Sequence, residues 1–302
     1  MKRFLPFLGA FLGFLSLAAQ DLSIRPKIAG IARVRFYASN IDASRAFYSK
    51  ILGLPSEQGA CVKGPRPCFT INPSPSQRVE LGQVPSPAPK HLPAEVVFAT
   101  SSVAQMRRYL LAHGMNVSKI SKDVNGAEHF ELRDPEGNPI AFVQDPITLV
   151  DYEISPDQVS SILFHTGFVV RDRATEDHFY KDILGFHLYW HGGRTDDETD
   201  WVNMQVPDGT DWIEYMLNVP ADATHKTLGV MNHIALGVPD IHAAEAQLRK
   251  NGWTGTEEPK IGRGGKWQLN LYDPDDTRVE LMEFTPTQKP CCSEYTGPHP
   301  KP

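Results

Sequence analysis

Two histidines and two glutamates in the second half of the chain have the types and placement to hold a metal ion. They are His165 in Phe164-His-Thr-Gly-Phe168, Glu214 in Trp212-Ile-Glu-Tyr-Met216, His233 in Asn232-His-Ile-Ala-Leu236 and Glu280 in Val279-Glu-Leu-Met282. Imidazole nitrogen and carboxylate oxygen are good ligands for divalent first-row metals, and strands hold them more rigidly than loops. Two carboxylates balance the cation, and four protein ligands leave room for water or substrate. A lone strand His is usually a satisfied polar residue, and a lone strand Glu usually faces solvent. Four of them in short apolar runs are harder to explain that way, because an ionised Glu inside a strand core is costly. Side chains alternate along a strand, so Glu280 shares a face with Met282 while Glu283 points the other way.

The elements that must position these residues come in repeating units. Ala46-Phe-Tyr-Ser-Lys-Ile-Leu-Gly-Leu54 reappears as His178-Phe-Tyr-Lys-Asp-Ile-Leu-Gly-Phe186, and Leu132-Arg-Asp-Pro-Glu-Gly137 as Leu271-Tyr-Asp-Pro-Asp-Asp276. The offset of about 135 residues marks a duplicated half. Each half splits again, into segments opening at Ile31, Ala94, Leu163 and Asn232 with alternating β-like runs. Helical spacing follows over Ala43–Ile51, Val103–Ala112, Arg173–Ile183 and Ile241–Lys250, with Gly53, Gly114, Gly185 and Gly252 at the stops. Short strands then close on Arg78-Val-Glu-Leu81, Pro139-Ile-Ala-Phe142, Trp212-Ile-Glu-Tyr215 and Arg278-Val-Glu-Leu281. The expected fold is therefore α+β, with four βαβββ modules forming two cupped-sheet domains over 28–145 and 161–286 and a linker over 146–160.

The four candidate ligands sit on the first and last strands of units three and four. The matching places in the first half hold Arg33, Glu80, Glu95 and Ala141. Arg33 would repel a metal and could instead pair with Glu80 or Glu95, so the first half is expected to bind none. Arg194, Trp201, Asn203, Lys266 and Trp267, with the flexible stretch Gly262–Gly265, fall near the expected mouth of the cup. His178 and His242 lie on helical segments and are expected to face solvent.

Residues 161–284 resemble the vicinal-oxygen-chelate superfamily, which takes in glyoxalase I, bleomycin resistance proteins and extradiol dioxygenases. The matches are Phe164-His-Thr-Gly-Phe168, the Phe-Tyr-x-x-Ile-Leu-Gly-Phe helix end, Asn232-His-Ile-Ala-Leu-Gly-Val238 and Asp273-Pro-Asp275 followed by Val279-Glu-Leu281. The resemblance implies one divalent ion (Zn, Ni, Co, Mn or Fe) on His165, Glu214, His233 and Glu280, and a small substrate that offers it two oxygens. In a glyoxalase-type lyase or isomerase the ion would stabilise an enediolate-like anion, with Glu280 as general base and Glu214 as ligand or second base. The alternative it implies is an extradiol-type dioxygenase with iron(II) on His165, His233 and Glu280, in which Tyr272 falls near a family tyrosine. A non-catalytic small-molecule binder is a second alternative.

The remaining features bound partners and compartment. The chain has 302 residues and a formal net charge of −6, with no basic stripe that would suit nucleic acid. Lys2 and Arg3 precede an apolar run to Leu17 and the small residues Ala18 and Ala19, the pattern of a cleaved signal peptide over 1–20. The expectation is a periplasmic or secreted monomer or homodimer with no membrane association after cleavage. Cys61 and Cys68 share a loop and could form a disulfide there. The Pro-rich tail 287–302, carrying Cys291 and Cys292, reads as disordered.

Overall fold

The computed structural model describes residues 24–58, 68–86, 95–123, 126–144 and 154–302. The expected signal peptide and Cys61 lie outside the described residues, as does much of the expected linker. The first half contains β1 (Ile28–Ala38), β2 (Ser56–Gln58), β3 (Cys68–Ser74), β4 (Gln77–Gln83), β5 (Glu95–Thr100), β6 (Ser121–Lys122), β7 (Glu128–Arg133) and β8 (Pro139–Gln144). The second contains β9 (Leu163–Val169), β10 (His187–Gly192), β11 (Trp201–Gln205), β12 (Trp212–Met216), β13 (His233–Val238), β14 (Lys260–Ile261), β15 (Trp267–Tyr272) and β16 (Arg278–Glu283). Each set forms one eight-stranded curled sheet. The orders are β2-β3-β4-β1-β5-β8-β7-β6 and β10-β11-β12-β9-β13-β16-β15-β14, so each strand of one sheet has a counterpart in the other. The fold is α+β with two cupped sheets, as the spacing of strand and helix signals predicts.

The helices are α1 (Ile41–Ala46), α2 (Val103–Ala112), α3 (Arg173–Asp177), α4 (His225–Met231) and α5 (Ile241–Lys250). Side chains of Asn40, Ser102, Asp172, Thr224 and Asp240 cap them, each accepting from a backbone N–H three residues on. α1 and α3 run on as single π-helical turns over Phe47–Ile51 and His178–Ile183. The expected helices α2 and α5 have the observed bounds. α4 was not expected from the sequence, because His225–Met231 carries a glycine and no apolar stripe of helical period.

The outer faces of both sheets and the helices share one apolar core that crosses between the halves. The repeated motifs stitch that junction together reciprocally. Tyr48, in the π-turn after α1, donates to Asp273 in the last unit (3.4 Å), and Tyr180, in the π-turn after α3, donates to Asp134 in the second unit (3.2 Å). Burial pushes both carboxyls up to about 6. The Phe-Tyr and Asp-Pro signatures thus join the halves rather than form the candidate site.

The tail corrects the sequence-based expectation of disorder. It is laid against the rim of the second sheet, where Thr296 N–H donates to Tyr189 O (3.0 Å), Gln205 donates to Pro298 O (2.9 Å) and Trp190 donates to Cys291 O (3.3 Å). Tyr295 packs on Tyr189 with ring centres 4.8 Å apart. Composition alone missed this, because a few aromatic anchors meeting a ready receptor suffice to order an otherwise polar, Pro-rich segment. Cys291 and Cys292 are joined as a vicinal disulfide. Among the described residues, no helix is long and apolar enough to cross a membrane.

Candidate metal centre

β9 and β13 pair antiparallel at the centre of the second sheet, and each is flanked on its other edge by a parallel strand, β12 or β16. Strand alternation then decides what faces the hollow. Along β16, Val279 and Leu281 enter the shared core, while Arg278, Glu280 and Met282 line the cavity on the other face. Along β12, Ile213 and Tyr215 go to the core and Trp212 and Glu214 to the cavity. His165 and His233 come from β9 and β13 on the same side, at 1% and 0% exposure.

His165, Glu214 and His233 each bring a ligand atom within 4.8 Å of the others, and Glu280 stands at the edge of that group. The Nε2 atoms of His165 and His233 are 3.1 Å apart. Glu214 Oε2 lies 3.2 Å from His233 Nε2, and Glu280 Oε2 lies 3.6 Å from His165 Nε2 and 4.0 Å from His233 Nε2. Ligand atoms bound at about 2.1 Å are about 3.0 Å apart when at right angles and about 4.2 Å when opposite, so these separations suit one ion. His233 Nδ1 bonds Met231 O (3.0 Å). That contact places the ring proton on Nδ1 and leaves Nε2 with its lone pair toward the cluster.

Burial sets the protonation states. It holds both imidazoles well below their ordinary range, helped by mutual repulsion for His165 and by the Arg278 guanidinium for both, so they stand neutral. It lifts Glu214 and Glu280 to about 7, with Arg278 opposing the rise in each. Protons and a cation therefore compete for the same carboxylate oxygens near neutral pH. Neutral imidazoles, the Glu214 carboxylate and matching separations make His165, Glu214 and His233 fit a divalent ion, with Glu280 beside them.

The surrounding residues aim this set. Asn203, with its amide oriented by its neighbours, donates to Glu214 Oε1 (2.9 Å) and accepts from Trp212 Nε1 (3.2 Å). Arg278 donates to His233 Nε2 (2.8 Å) and stands 3.9 Å from Glu214, so a bound ion takes over the His233 lone pair from this guanidinium. Arg278 was missed in the sequence, although it shares a strand face with Glu280. Gly167 was also passed over. A Cβ there would lie 2.0 Å from His233 Cε1, so only glycine leaves room for the ring.

The first half shows the alternative filling. By register, Arg33 takes the place of His165, Arg35 of Gly167, Glu80 of Glu214, Glu95 of His233 and Ala141 of Glu280. Arg35 bonds Glu80 through Nε (2.9 Å) and lies 3.8 Å from Glu95, while Arg33 lies 3.3 Å from Glu80 and 3.6 Å from Asp123. Two guanidiniums thus occupy the space that the second half leaves to its ligand set, and the predicted pairing of Arg33 with Glu80 is present. Arg35, which does most to fill the hollow, was not singled out in the sequence.

A cavity of about 320 Å³ opens onto Glu214 and Glu280. Of the residues expected at its mouth, Trp201, Asn203, Lys266, Gly262 and Gly264 line it, together with Tyr295 of the tail. Arg194 instead pairs with Asp200 and lies over Trp201, and Trp267 packs toward the helix side, edge-on to His242. Tyr272 is exposed away from the cavity, and His178 and His242 face solvent as expected.

A family model described as "Glyoxalase/Bleomycin resistance protein/Dioxygenase superfamily" matches residues 30–142 and 162–281. The chain belongs to that superfamily. A curated relative, lactoylglutathione lyase of Haemophilus influenzae, is 27% identical over 128 residues, covering 42% of this chain and 95% of the relative. Among solved structures, a variant of homoprotocatechuate 2,3-dioxygenase from Brevibacterium fuscum, with an E-to-L change, superposes with a TM-score of 0.63 at 20% identity, covering 91% of this chain and 75% of that one. The Arthrobacter globiformis homoprotocatechuate 2,3-dioxygenase gives 0.60 at 19% identity, covering 86% and 80%. These structures share the fold of both halves with this chain.

Proposed function

We propose that the second half holds one divalent metal on His165, Glu214, His233 and Glu280. On this reading it catalyses a lyase- or isomerase-type reaction on a small substrate bearing two neighbouring oxygens. The observation that carries this reading is Glu214. A dioxygenase-type set needs two His and one carboxylate. Here there are two carboxylates: Glu214, held by Asn203, reaches within 3.2 Å of His233 Nε2 as part of the compact His165–Glu214–His233 group, and Glu280 stands beside it, 3.6 Å from His165 Nε2, as the further ligand this reading adds. The resemblance to a lactoylglutathione lyase supports the same class.

The ion's contribution would be Lewis-acid polarisation of a bound carbonyl or hydroxyl oxygen. The protein's own residues supply the rest. Glu280 would take a proton from the carbon beside that oxygen and return it to a neighbouring position, a task suited to a carboxyl whose ordinary acidity burial has weakened to about 7. Glu214 would serve as ligand or second base, aimed by Asn203 and Arg278. The walls of Trp190, Trp201 and Trp212 would exclude water.

The test is anaerobic turnover with a panel of hydroxy-carbonyl and dicarbonyl compounds and their thiol adducts, on protein loaded with each of the five candidate metals. Turnover is expected without oxygen and should fall at least tenfold on Glu214→Ala. Oxygen uptake with a catechol, dependent on iron(II) and indifferent to Glu214→Ala, would establish the dioxygenase reading instead.

A further inference from the structure

Lys266 immediately precedes β15, is only 2% exposed, and lines the same cavity as Glu214, Glu280 and Arg278. Among the described residues its Nζ meets no hydrogen-bond partner. It is instead ringed by aromatic faces, with Trp212 at 5.0 Å, Tyr295 at 5.2 Å, Tyr189 at 5.6 Å and Phe164 at 5.9 Å to the ring centres. Such rings attract an ammonium but accept none of its three N–H donors in the usual sense. A buried cation left this way is costly, and burial accordingly pulls its pKa down to about 7.

We propose that Lys266 is the specificity-determining residue for a carboxylate on the substrate. The ammonium supplies the donors and the aromatic ring of walls receives the substrate's planar body, while the two chelating oxygens face the cluster. This rests on the metal-centred reading above and names the class of substrate it takes: a small carboxylic acid that also bears two adjacent oxygens. Of the other cations that line the cavity, Lys260 is exposed at its edge and the two arginines are engaged already. Arg263 pairs with Asp196 and donates to Gly193 O (3.1 Å), and Arg278 is spent on His233 and Glu214. Among these cations of the described residues, Lys266 is the buried one whose ammonium has no hydrogen-bond partner. The tail matters here too, since Tyr295 closes one side of the lysine's surroundings and is itself held by its hydroxyl on Gly264 O (3.0 Å).

The experiment compares catechol, which chelates without a carboxylate, with 2,3- and 3,4-dihydroxybenzoate. Binding to the full chain, metal-loaded and kept anaerobic, is followed by tryptophan fluorescence. At least one of the acids is expected to bind wild type about 10- to 100-fold tighter than catechol, the range for a buried hydrogen bond to a charged partner. In Lys266→Met that ratio should fall to about one, with metal content unchanged and catechol affinity within twofold. Methionine keeps the volume and removes only the charge, and Lys266→Gln gives the same reading if Met packs badly. Equal affinities in wild type, or a ratio that survives Lys266→Met, would overturn the proposal while leaving the metal reading intact. If the wild type proves metal-free, benzoate replaces the chelators. Benzoate binding that disappears in Lys266→Met would then sustain the carboxylate site although the metal reading had failed, and binding unaffected by Lys266→Met would overturn it.

Discussion

Glu280→Gln should reduce turnover by about 100- to 10,000-fold, the usual worth of general acid–base catalysis, while the protein still takes up part of its metal. Glutamine offers one oxygen of similar reach, so Glu280's place in the cluster, 3.6 Å from His165 Nε2, can still be filled by a weaker ligand. It has no ionisable oxygen, so it can neither accept nor return a proton. Kinetic and metal readouts therefore separate: kcat collapses, and metal affinity weakens without vanishing. Removing Asn203, which touches Glu214 and no reacting atom, should do the reverse, weakening metal by about 10- to 100-fold as expected for a partner that only orients a ligand. Equal turnover in Glu280→Gln and wild type, at matched metal content, would remove Glu280 from the proton-transfer role.

Gly167→Ala is expected to cost the protein its metal while leaving the fold in place. The added methyl would sit 2.0 Å from the His233 ring, far inside contact distance, and it comes from a strand backbone that is paired on both edges. The ring must move, and its Nε2 then leaves the group of atoms that now lie within 4.8 Å of one another. The change follows the direction the first half has already taken, where Arg35 stands at that register and bonds Glu80. Circular dichroism should be unchanged, with metal retention reduced by at least tenfold. Full metal retention in a folded Gly167→Ala protein would show that His233 is not held where the structure puts it.

Much of this was legible before any coordinates, and the reasons differ by element. α2 and α5 carry apolar residues at helical spacing with Ser102 and Asp240 as caps, so local rules fixed their bounds. The matched strand positions of His165, Glu214, His233 and Glu280 were visible because alternation along a strand is a short-range property. The convergence of their atoms depends on register between β9, β12, β13 and β16, which sequence spacing only suggested. Arg278 and Gly167 escaped notice for opposite reasons. Arg278 reads as an ordinary strand-end cation, and Gly167 matters for what it lacks. The tail was misread because composition carries no record of a receptor: Tyr295 and Thr296 are ordered by Tyr189, more than a hundred residues away. Tyr48 and Tyr180 were legible only as a repeated motif, and the hydrogen bonds that make them rivets between the halves run to Asp273 and Asp134, far away in sequence.

The most direct test is the metal content of the full chain, measured by elemental analysis after purification without chelators and dialysis near pH 7.5, where Glu214 and Glu280 are largely ionised. About one divalent ion per chain is expected in wild type and in Glu95→Ala, and none in His233→Ala. Two ions per chain, loss of metal on changing Glu95, or a full complement retained by His233→Ala would contradict it.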